Sequence, residues 1–439
     1  MQAVQLRLFS PADEAGCYHD TARHGFFSLL IACEGGKRQY SYRLSLMPTV
    51  LSHLDHSRDT WLSQAEFIKP NRRVVNLARI GLLFADLDTY REPWAQGRSP
   101  EQQTEVLLYH CDTEGLPRPS LVIFSGRGLQ AKWLLDGTVP RAALPRWNAC
   151  QRYLIDRLAG LGADPAAKDA SRVLRLVNTV NSKSGEVCRV IHVEQGPDGE
   201  PIRYNFEYLA EVLLPVARWD IEADRKARAD RRQFKLLQGG KTENLRRLNG
   251  RQLAWDRLED LRRLAEIRGG VVEGERMLHL FWRLNFLLLS GATHSGQMYH
   301  EAAALARELD PRWNYRSAEL MTLYAKAKAF EAGEKVEFGG KQFAPLYTPR
   351  NDTLINLFRI TDDEQRQLRT IISRDIAAER HRKREEARRR AAGAKAHGTE
   401  QDRATARLMR AQGMSLRSIA AALGVHYTTV RNWCKEGGC

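Results

Sequence analysis

Gly81-Leu82-Leu83-Phe84-Ala85-Asp86-Leu87-Asp88-Thr89-Tyr90 is the stretch from which the rest of the chain is read. Gly81 to Ala85 is a short run of small and apolar residues, which predicts a strand buried on both faces. Side chains alternate along a strand, so Asp86 and Asp88 share one face while Leu87 turns away. Two neighbouring carboxylates repel and resist ionising together unless a cation lies between them. A hard divalent ion prefers oxygen ligands and often takes only one or two protein carboxylates plus substrate phosphates. The pattern therefore suits phosphoryl-transfer chemistry on nucleotides, and equally an acidic turn that caps the next segment.

Two downstream blocks bear on that choice. Leu121-Val122-Ile123-Phe124 is a second apolar run, and it breaks into Ser125-Gly126-Arg127-Gly128 before resuming as Leu129-Gln130-Ala131-Lys132-Trp133-Leu134-Leu135. This reads as a glycine-rich hairpin whose backbone can approach a phosphate or a template strand, with Arg127 and Lys132 adding positive charge. The third block, Ala163 to Lys183, holds Asp164 and Asp169, the arginines Arg172 and Arg175, and the Asn181-Ser182-Lys183 triplet.

The three blocks, in this order, resemble the archaeo-eukaryotic primase superfamily, and within it the primase-like Rep proteins of small bacterial plasmids. The family pattern is hydrophobic-Asp-x-Asp, then Ser-Gly-x-Gly-x-His-x-x-Trp. An Asp follows, shortly before Arg-x-hydrophobic-Arg-Leu-Pro-Gly-Thr-x-Asn-x-Lys. The resemblance covers roughly residues 70 to 190. It implies that Asp86, Asp88 and Asp169 hold Mg²⁺ or Mn²⁺, with Asp164 as rival for the third place because the spacing does not separate them. It further implies that Ser125, Gly126, Arg127, Gly128, Gln130, Lys132, Arg172, Arg175, Asn181 and Lys183 hold the incoming triphosphate or the template. Two positions depart from the pattern. Gln130 stands where the family has histidine, and Val177-Asn178 stands where it has Pro-Gly. Either the phosphate contact has moved, Lys132 being one candidate, or nucleotidyl transfer is weakened.

The chain has 439 residues, enough for two to four domains. A net charge of +15 favours a polyanionic partner. No apolar stretch approaches a membrane span, and Met1 to Ser10 does not read as a signal sequence, so a cytoplasmic protein with no membrane contact is expected. The seven cysteines lack metal-binding spacing, which predicts reduced thiols with neither disulfide nor structural zinc.

Residues 1–215 read as an α/β (α+β) primase-like core with a mixed sheet covered by helices. Phe26 to Ala32 and Tyr40 to Leu44 form a hairpin around Glu34-Gly35-Gly36-Lys37, residues 101–116 and Leu144 to Leu161 form helices, and Arg189 to Val193 forms a strand. His53 and His56 lack a third ligand and read as surface polar residues, Trp61 as a core anchor and His192 as structural. Asp220 to Arg232 reads as a charged linker. Gln238-Gly239-Gly240-Lys241-Thr242 imitates a phosphate loop, but Lys235 stands where its first glycine is required, so no motor is expected. Residues 216–350 read as an all-α domain centred on Met277 to Leu289. Residues 351–400 form a basic charged helix over 363–390 and a linker from Ala391 to Gly398.

Residues 401–439 carry a second sharp pattern. Ser415 caps a helix with Ile419, Ala420 and Leu423 inward, Gly424 makes the turn, and Val425, Val430 and Trp433 pack the second helix back. This resembles the helix-turn-helix of resolvases and many regulators. The DNA-facing set is then Ser415, Arg417, His426, Tyr427, Thr428, Thr429, Arg431 and Asn432. A protein-binding helical hairpin is the alternative.

Taken together, the resemblances imply a replication initiator with primase activity. It would bind origin duplex and single-stranded template, use NTPs or dNTPs, and meet host replication proteins. The alternative from another class is a non-catalytic origin-binding initiator or regulator that keeps a degenerate primase fold. A nicking relaxase or a recombinase is disfavoured, because no histidine-hydrophobic-histidine pair and no recombinase-like first half is present.

Overall fold

A computed structural model describes residues 9–214, 243–338, 340–391 and 400–435. The described residues up to Arg350, with Leu368–Thr370, form one compact unit; Asn351–Gln367 and Ile371 onward form a second. The boundary expected near residue 215 therefore does not separate two compact bodies. Asp220 to Arg232, Gln238 to Thr242 and most of Ala391 to Gly398 lie outside the described residues.

The strands of the first unit are β1 (Phe26–Cys33), β2 (Gly36–Arg43), β3 (Thr60–Ser63), β4 (Ala65–Phe67), β5 (Leu77–Leu87), β6 (Leu121–Phe124), β7 (Leu129–Pro140), β8 (Val173–Arg175) and β9 (Arg189–Val193). They make a nine-stranded sheet in the order β8-β3-β1-β4-β5-β7-β6-β9, with β2 paired to β1. A separate hairpin joins β10 (Val336–Phe338) to β11 (Lys341–Phe343). The strand pairs of the large sheet run antiparallel, and the parallel element among the described residues is the isolated bridge Leu135–Tyr204. Helices α1 (Pro11–Gly16), α2 (Met47–Ser52), α3 (Pro100–Thr113), α4 (Leu144–Arg157) and α5 (Phe206–Leu213) accompany the sheet. They are followed by α6 (Glu243–Ile267), α7 (Arg276–Ser290), α8 (Met298–Leu309) and α9 (Met321–Glu331). The fold is mixed α/β with a sheet core, as the alternation of patterns predicts.

The central strand explains where a site forms. β5 pairs with β7 along nearly its whole length, but β4 reaches only Leu77, Arg79 and Ile80. Beyond Ile80 the other edge of β5 has no named strand beside it among the described residues, and its polar groups need other partners. Trp147 Nε1 on α4 donates to the Leu82 carbonyl at 2.9 Å. Gln151 Oε1 accepts the Phe84 N–H at 3.2 Å, and its Nε2 donates to the Phe84 carbonyl at 2.6 Å. The Asp164 N–H donates to the Asp86 carbonyl and the Asp88 N–H to the Gly162 carbonyl, each at 2.8 Å. Residues 162–164 thus serve as a short extra strand on the open edge.

The later helices close onto the sheet through buried charge. Glu301 on α8 accepts the N–H groups of Val74 and Val75, just before β5, at 3.0 and 3.1 Å. Burial pushes the Glu301 carboxyl up to about 7, with those two hydrogen bonds opposing. Arg141 pairs with Glu259 on α6 at 2.8 Å, and Arg262 with Glu308 on α8 at 2.7 Å. Periodicity in α6 to α8 predicts helices but not which acids face the sheet.

The second unit contains α10 (Asn351–Phe358), α11 (Asp362–Gln367), α12 (Arg374–Ala391), α13 (Glu400–Ala411), α14 (Leu416–Leu423) and α15 (Tyr427–Lys435). The single helix expected over 363–390 is interrupted between α11 and α12. There the Arg369 and Thr370 N–H groups donate to Asp260 instead of continuing a helix, at 2.7 and 2.6 Å. Ala406, Ile419, Ala420, Val430 and Trp433 form the core of the last three helices. Ser415 Oγ accepts the Ser418 N–H at 3.1 Å, and Gly424 is left-handed with φ 62°. His426, Tyr427, Thr428, Arg431 and Asn432 are exposed and Thr429 half-buried, and Ser415 and Arg417 are exposed at the start of α14. Among the described residues no helix is long and apolar enough to cross a membrane. The six described cysteines are free thiols.

Candidate active site

Asp86 is the penultimate residue of β5, and Asp88 follows the strand directly. Asp86 pairs across the ladder with Gln130, as Phe84 does with Lys132, so these four side chains share a face. Burial, aided by Asp88 and Asp164 and opposed by Arg172 and Arg175, pushes the Asp86 carboxyl up to about 7. Asp88 forms an ion pair with Arg91 at 3.1 Å.

The neighbouring third acid is Asp164, which the extra strand at 162–164 sets beside Asp86. Asp169, the residue the family pattern suggests, is held elsewhere. Its Oδ1 accepts the Ser171 N–H and hydroxyl at 3.1 and 2.6 Å, and its Oδ2 lies 3.4 Å from Arg172 Nε. Among the described residues, no three of His, Cys, Asp and Glu converge as a metal-ligand set. The residues present nevertheless fit a hard divalent cation. The donors are all oxygen, and Asp86 is a carboxylate whose charge is opposed by burial and by two acids and only partly offset by Arg172 and Arg175.

The hairpin between β6 and β7 closes tightly over these acids. The Ser125 N–H donates to the Gly128 carbonyl at 2.9 Å, and Ser125 Oγ accepts the Gly128 N–H at 3.3 Å. A Cβ on Gly128 would stand 2.2 Å from the Leu87 carbonyl oxygen, so only glycine lets the hairpin approach the residue between the two acids. Gly126, at φ 88°, lies against Asn181, whose Nδ2 donates to the Ser125 carbonyl at 2.9 Å. Arg127 lies over the Tyr90 ring at 3.9 Å. We expect Gly128→Ala to destabilise the full chain by about 1–3 kcal/mol in chemical denaturation, through overpacking against backbone. Gly160→Ala, where an added methyl meets open space, is the matched control and is expected to stay within about 0.5 kcal/mol of the parent.

The remaining basic residues divide into two groups. Arg172 lies near Asp86 and donates to the Ala166 carbonyl. Arg175 is buried, bonds Asp59 and lies 4.8 Å from the centre of the Trp61 ring, over which Lys37 also lies at 4.0 Å. Asp59 also accepts hydrogen bonds from the Ser182 hydroxyl and N–H. Burial alone would raise its pKa, but the hydrogen bonds from Ser182 and Arg175 outweigh burial and hold it below the usual carboxylate value. Trp61 is thus half-buried between two cations rather than a core anchor. Lys183 is exposed beside this cluster. Asp59 escapes a sequence reading because it lies in a loop far from the three blocks. His53 and His56 bond separate backbone carbonyls, Thr49 and Asn178, and share no ligand position.

Two expected contacts are corrected. Lys132 is fully buried and pairs with Glu14 of α1 at 2.5 Å, so it does not reach a nucleotide on the surface. The partner that covers it lies 118 positions away. Gln130 is also buried. Oriented to satisfy both amide atoms, it accepts the Arg175 N–H at 3.0 Å and donates to the Arg175 carbonyl at 3.2 Å, which fastens β8 to β7. The Val177-Asn178 departure has a local account as well. Asn178 takes the left-handed φ of 59° where the family has glycine, and asparagine tolerates that conformation well. Val177 brings an N–H where the family's proline has none, and Glu14 Oε2 accepts it at 2.9 Å.

Comparison with known proteins gives the following. Over 351 residues the chain is 26% identical to a replication protein of Clostridium perfringens, an alignment that covers 80% of this chain and 76% of that one. The chain is similar to a replication protein. Residues 397–438 match the model of the homeodomain-like domain family. Its C-terminal segment is a homeodomain-like helix-turn-helix. Among solved structures it is similar to the primase-polymerase domain of cyanophage S-2L, at 18% identity and a TM-score of 0.32, with 44% of this chain and 91% of that one covered. It is also similar to the catalytic domain of primase RepB' in complex with initiator DNA, at 15% identity and a TM-score of 0.28, covering 52% and 100%.

Proposed function

We propose that this chain initiates DNA replication by binding origin duplex through its C-terminal helices and making a primer at the sheet core. The observation that carries the reading is the pair Asp86 and Asp88 on the open edge of β5, beneath the Ser125–Gly128 hairpin. Asp86 and Asp88 would hold Mg²⁺ or Mn²⁺, with Asp164 preferred over Asp169 as the neighbouring acid. Such an ion, when bound, stabilises charge on the attacking and leaving oxygens of nucleotidyl transfer. The chain's own residues do the positioning. Ser125, Gly126 and Gly128 bring backbone close to the acids, and Arg127 offers charge beside them. Arg172 adds charge near Asp86, and Asn181 fixes the hairpin through Ser125. Arg175 and Lys183, with Lys37 and Trp61, form a basic and aromatic surface suited to a template strand. Gln130 acts by holding Arg175, and Lys132 by stabilising the core. His426, Tyr427, Thr428, Thr429, Arg431 and Asn432 would read the major groove, with Ser415 and Arg417 against phosphates. NTPs or dNTPs, DNA and host replication proteins are the partners, and the cytoplasm is the place of action.

One observation favours a second reading. The residue in the family's histidine slot has both amide atoms engaged with Arg175, which suits a fold kept for binding alone. The test is incorporation of labelled NTPs or dNTPs on single-stranded and origin-bearing templates, with Mg²⁺ or Mn²⁺. Template-dependent products support the primase reading. No product under any of these conditions, with origin binding intact, would replace it with the binding-only initiator.

A further inference from the structure

Apart from the carboxylates on β5, a cavity of about 590 Å³ lies where α4 meets α6, α7 and α9. That volume is in the range of small-molecule sites. Its lining carries five cations, Arg152, Lys168, Arg251, Arg257 and Lys335, against the two carboxylates of Glu331 and Glu334. Glu331 is already engaged, accepting the Ser295 N–H at 2.5 Å and hydroxyl at 2.8 Å.

Three side chains of the lining keep buried polar atoms that have no partner among the described residues. Asn148 is 2% exposed, and neither atom of its amide has a partner among the described residues. Thr293 is 7% exposed with an unpaired hydroxyl, and Arg152 has a buried, unpaired Nη2. Burial lowers the pKa of Arg251, and among the described residues no carboxylate offsets it. Buried donors left without partners cost about 1–3 kcal/mol each, so a site that keeps several of them is built for something that fills it. Around them stand apolar walls from Phe286, Leu288, Phe330 and Leu346.

We infer that this cavity binds a nucleoside phosphate that is held and not consumed, as a ligand separate from the substrate. A base would lie against the apolar walls and offer a donor–acceptor edge to the Asn148 amide. The phosphates would meet Arg152 and Arg251, and a ribose hydroxyl would meet Thr293. The cavity also touches the segment that carries the site acids. Lys168 lines it, and the Ala167 carbonyl accepts from Gln151, the α4 residue that supports Phe84 of β5. Occupancy would therefore bear on the loop that presents Asp164.

The inference goes beyond the proposed primer synthesis and does not depend on it. The experiment measures binding of fluorescently labelled ATP and GTP to the full chain in EDTA, which leaves no divalent cation for the acids on β5. The parent chain and Asp86→Ala/Asp88→Ala are expected to bind alike, within about twofold. Arg251→Met keeps the aliphatic stem for packing and is expected to weaken binding at least about tenfold; Thr293→Val, nearly isosteric, about threefold to tenfold. Melting midpoints recorded on the same samples separate lost binding from lost folding. Pyrophosphate is expected to compete at least about tenfold less well than either nucleotide. Three results would overturn the inference: no nucleotide bound by the folded parent in EDTA, binding lost in the double aspartate variant, or binding unchanged in both Arg251→Met and Thr293→Val. Pyrophosphate competing as well as ATP would overturn its nucleoside part. Absence of primer synthesis leaves each of these readings as it stands.

Discussion

Asp86→Asn is expected to remove primer synthesis by at least about a thousandfold and, in the same protein, to raise the melting midpoint at pH 8. On the proposed function, the activity loss would follow from the several kcal/mol that a metal held at this carboxylate would contribute to the transition state of nucleotidyl transfer. The stability gain follows from the carboxylate's surroundings. Burial, with Asp88 and Asp164 beside it, lifts the Asp86 pKa from 3.8 to about 7 in the fold. A carboxyl whose folded pKa lies above its unfolded value costs stability when ionised. The cost is absent below pH 4, grows between pH 4 and 7, and is complete above 7. Asparagine keeps the shape without the charge. The gain should be on the order of 2 kcal/mol at pH 8, about half the conversion of the whole shift, because the side chain retains some solvent contact. It should vanish near pH 4. Mn²⁺ should raise the melting midpoint of the parent and leave that of Asp86→Asn unmoved. Equal midpoints for parent and variant at pH 8 without metal would mean that Asp86 is not under the repulsion described.

How far the sequence reaches into this site depends on the range of each interaction. Asp86 and Asp88 are legible because strand parity acts over two residues. Gly126 and Gly128 are legible because a tight hairpin needs them. The helix-turn-helix is legible because its cap, turn and core all lie between Ala406 and Trp433. Asp164 against Asp169 is not legible, since both precede the arginines at plausible distances. What sets their positions apart in the fold is that residues 162–164 lie along the open edge of β5, and that edge exists because β4 stops at Ala65 opposite Ile80. The same limit explains Lys132 and Asp59. Lys132 shares a face with Gln130, but no local rule reveals that α1 supplies Glu14 to cover it. Asp59 bonds Arg175 across 116 positions and leaves no motif. Nor does amphipathic spacing in α8 tell that Glu301 reaches the turn before β5. Short-range geometry and turn chemistry can be read off the chain, whereas pairings fixed by sheet order need the sheet.

Glu14→Ala is expected to be among the most destabilising single changes in the chain, by about 3–5 kcal/mol in chemical denaturation. Glu14 sits in α1, which Ser10 and Asp13 cap reciprocally, and it is fully buried. Its Oε1 accepts from Lys132 Nζ at 2.5 Å and from the Tyr18 hydroxyl at 3.0 Å, and its Oε2 accepts the Val177 N–H at 2.9 Å. Removing it leaves a buried ammonium without a counter-ion and an amide without an acceptor, each a large cost in a medium that excludes water. Lys132→Met reverses the problem and strands the carboxylate, so it too should destabilise strongly. The informative protein is Glu14→Gln/Lys132→Met, which deletes both charges yet keeps an oxygen for Val177. It should recover most of the stability lost in either single change, because a buried ion pair is frequently no better than a neutral packed substitute. Strict additivity of the two losses would show that the residues do not act as a pair. The functional consequence follows from position. Val177 begins the segment that carries Asn181 to the Ser125–Gly128 hairpin, and Lys132 lies on the strand that pairs with β5 beneath Asp86. The double variant should therefore keep primer synthesis within about tenfold of the parent, whereas Glu14→Ala should lose it along with the hairpin's seat.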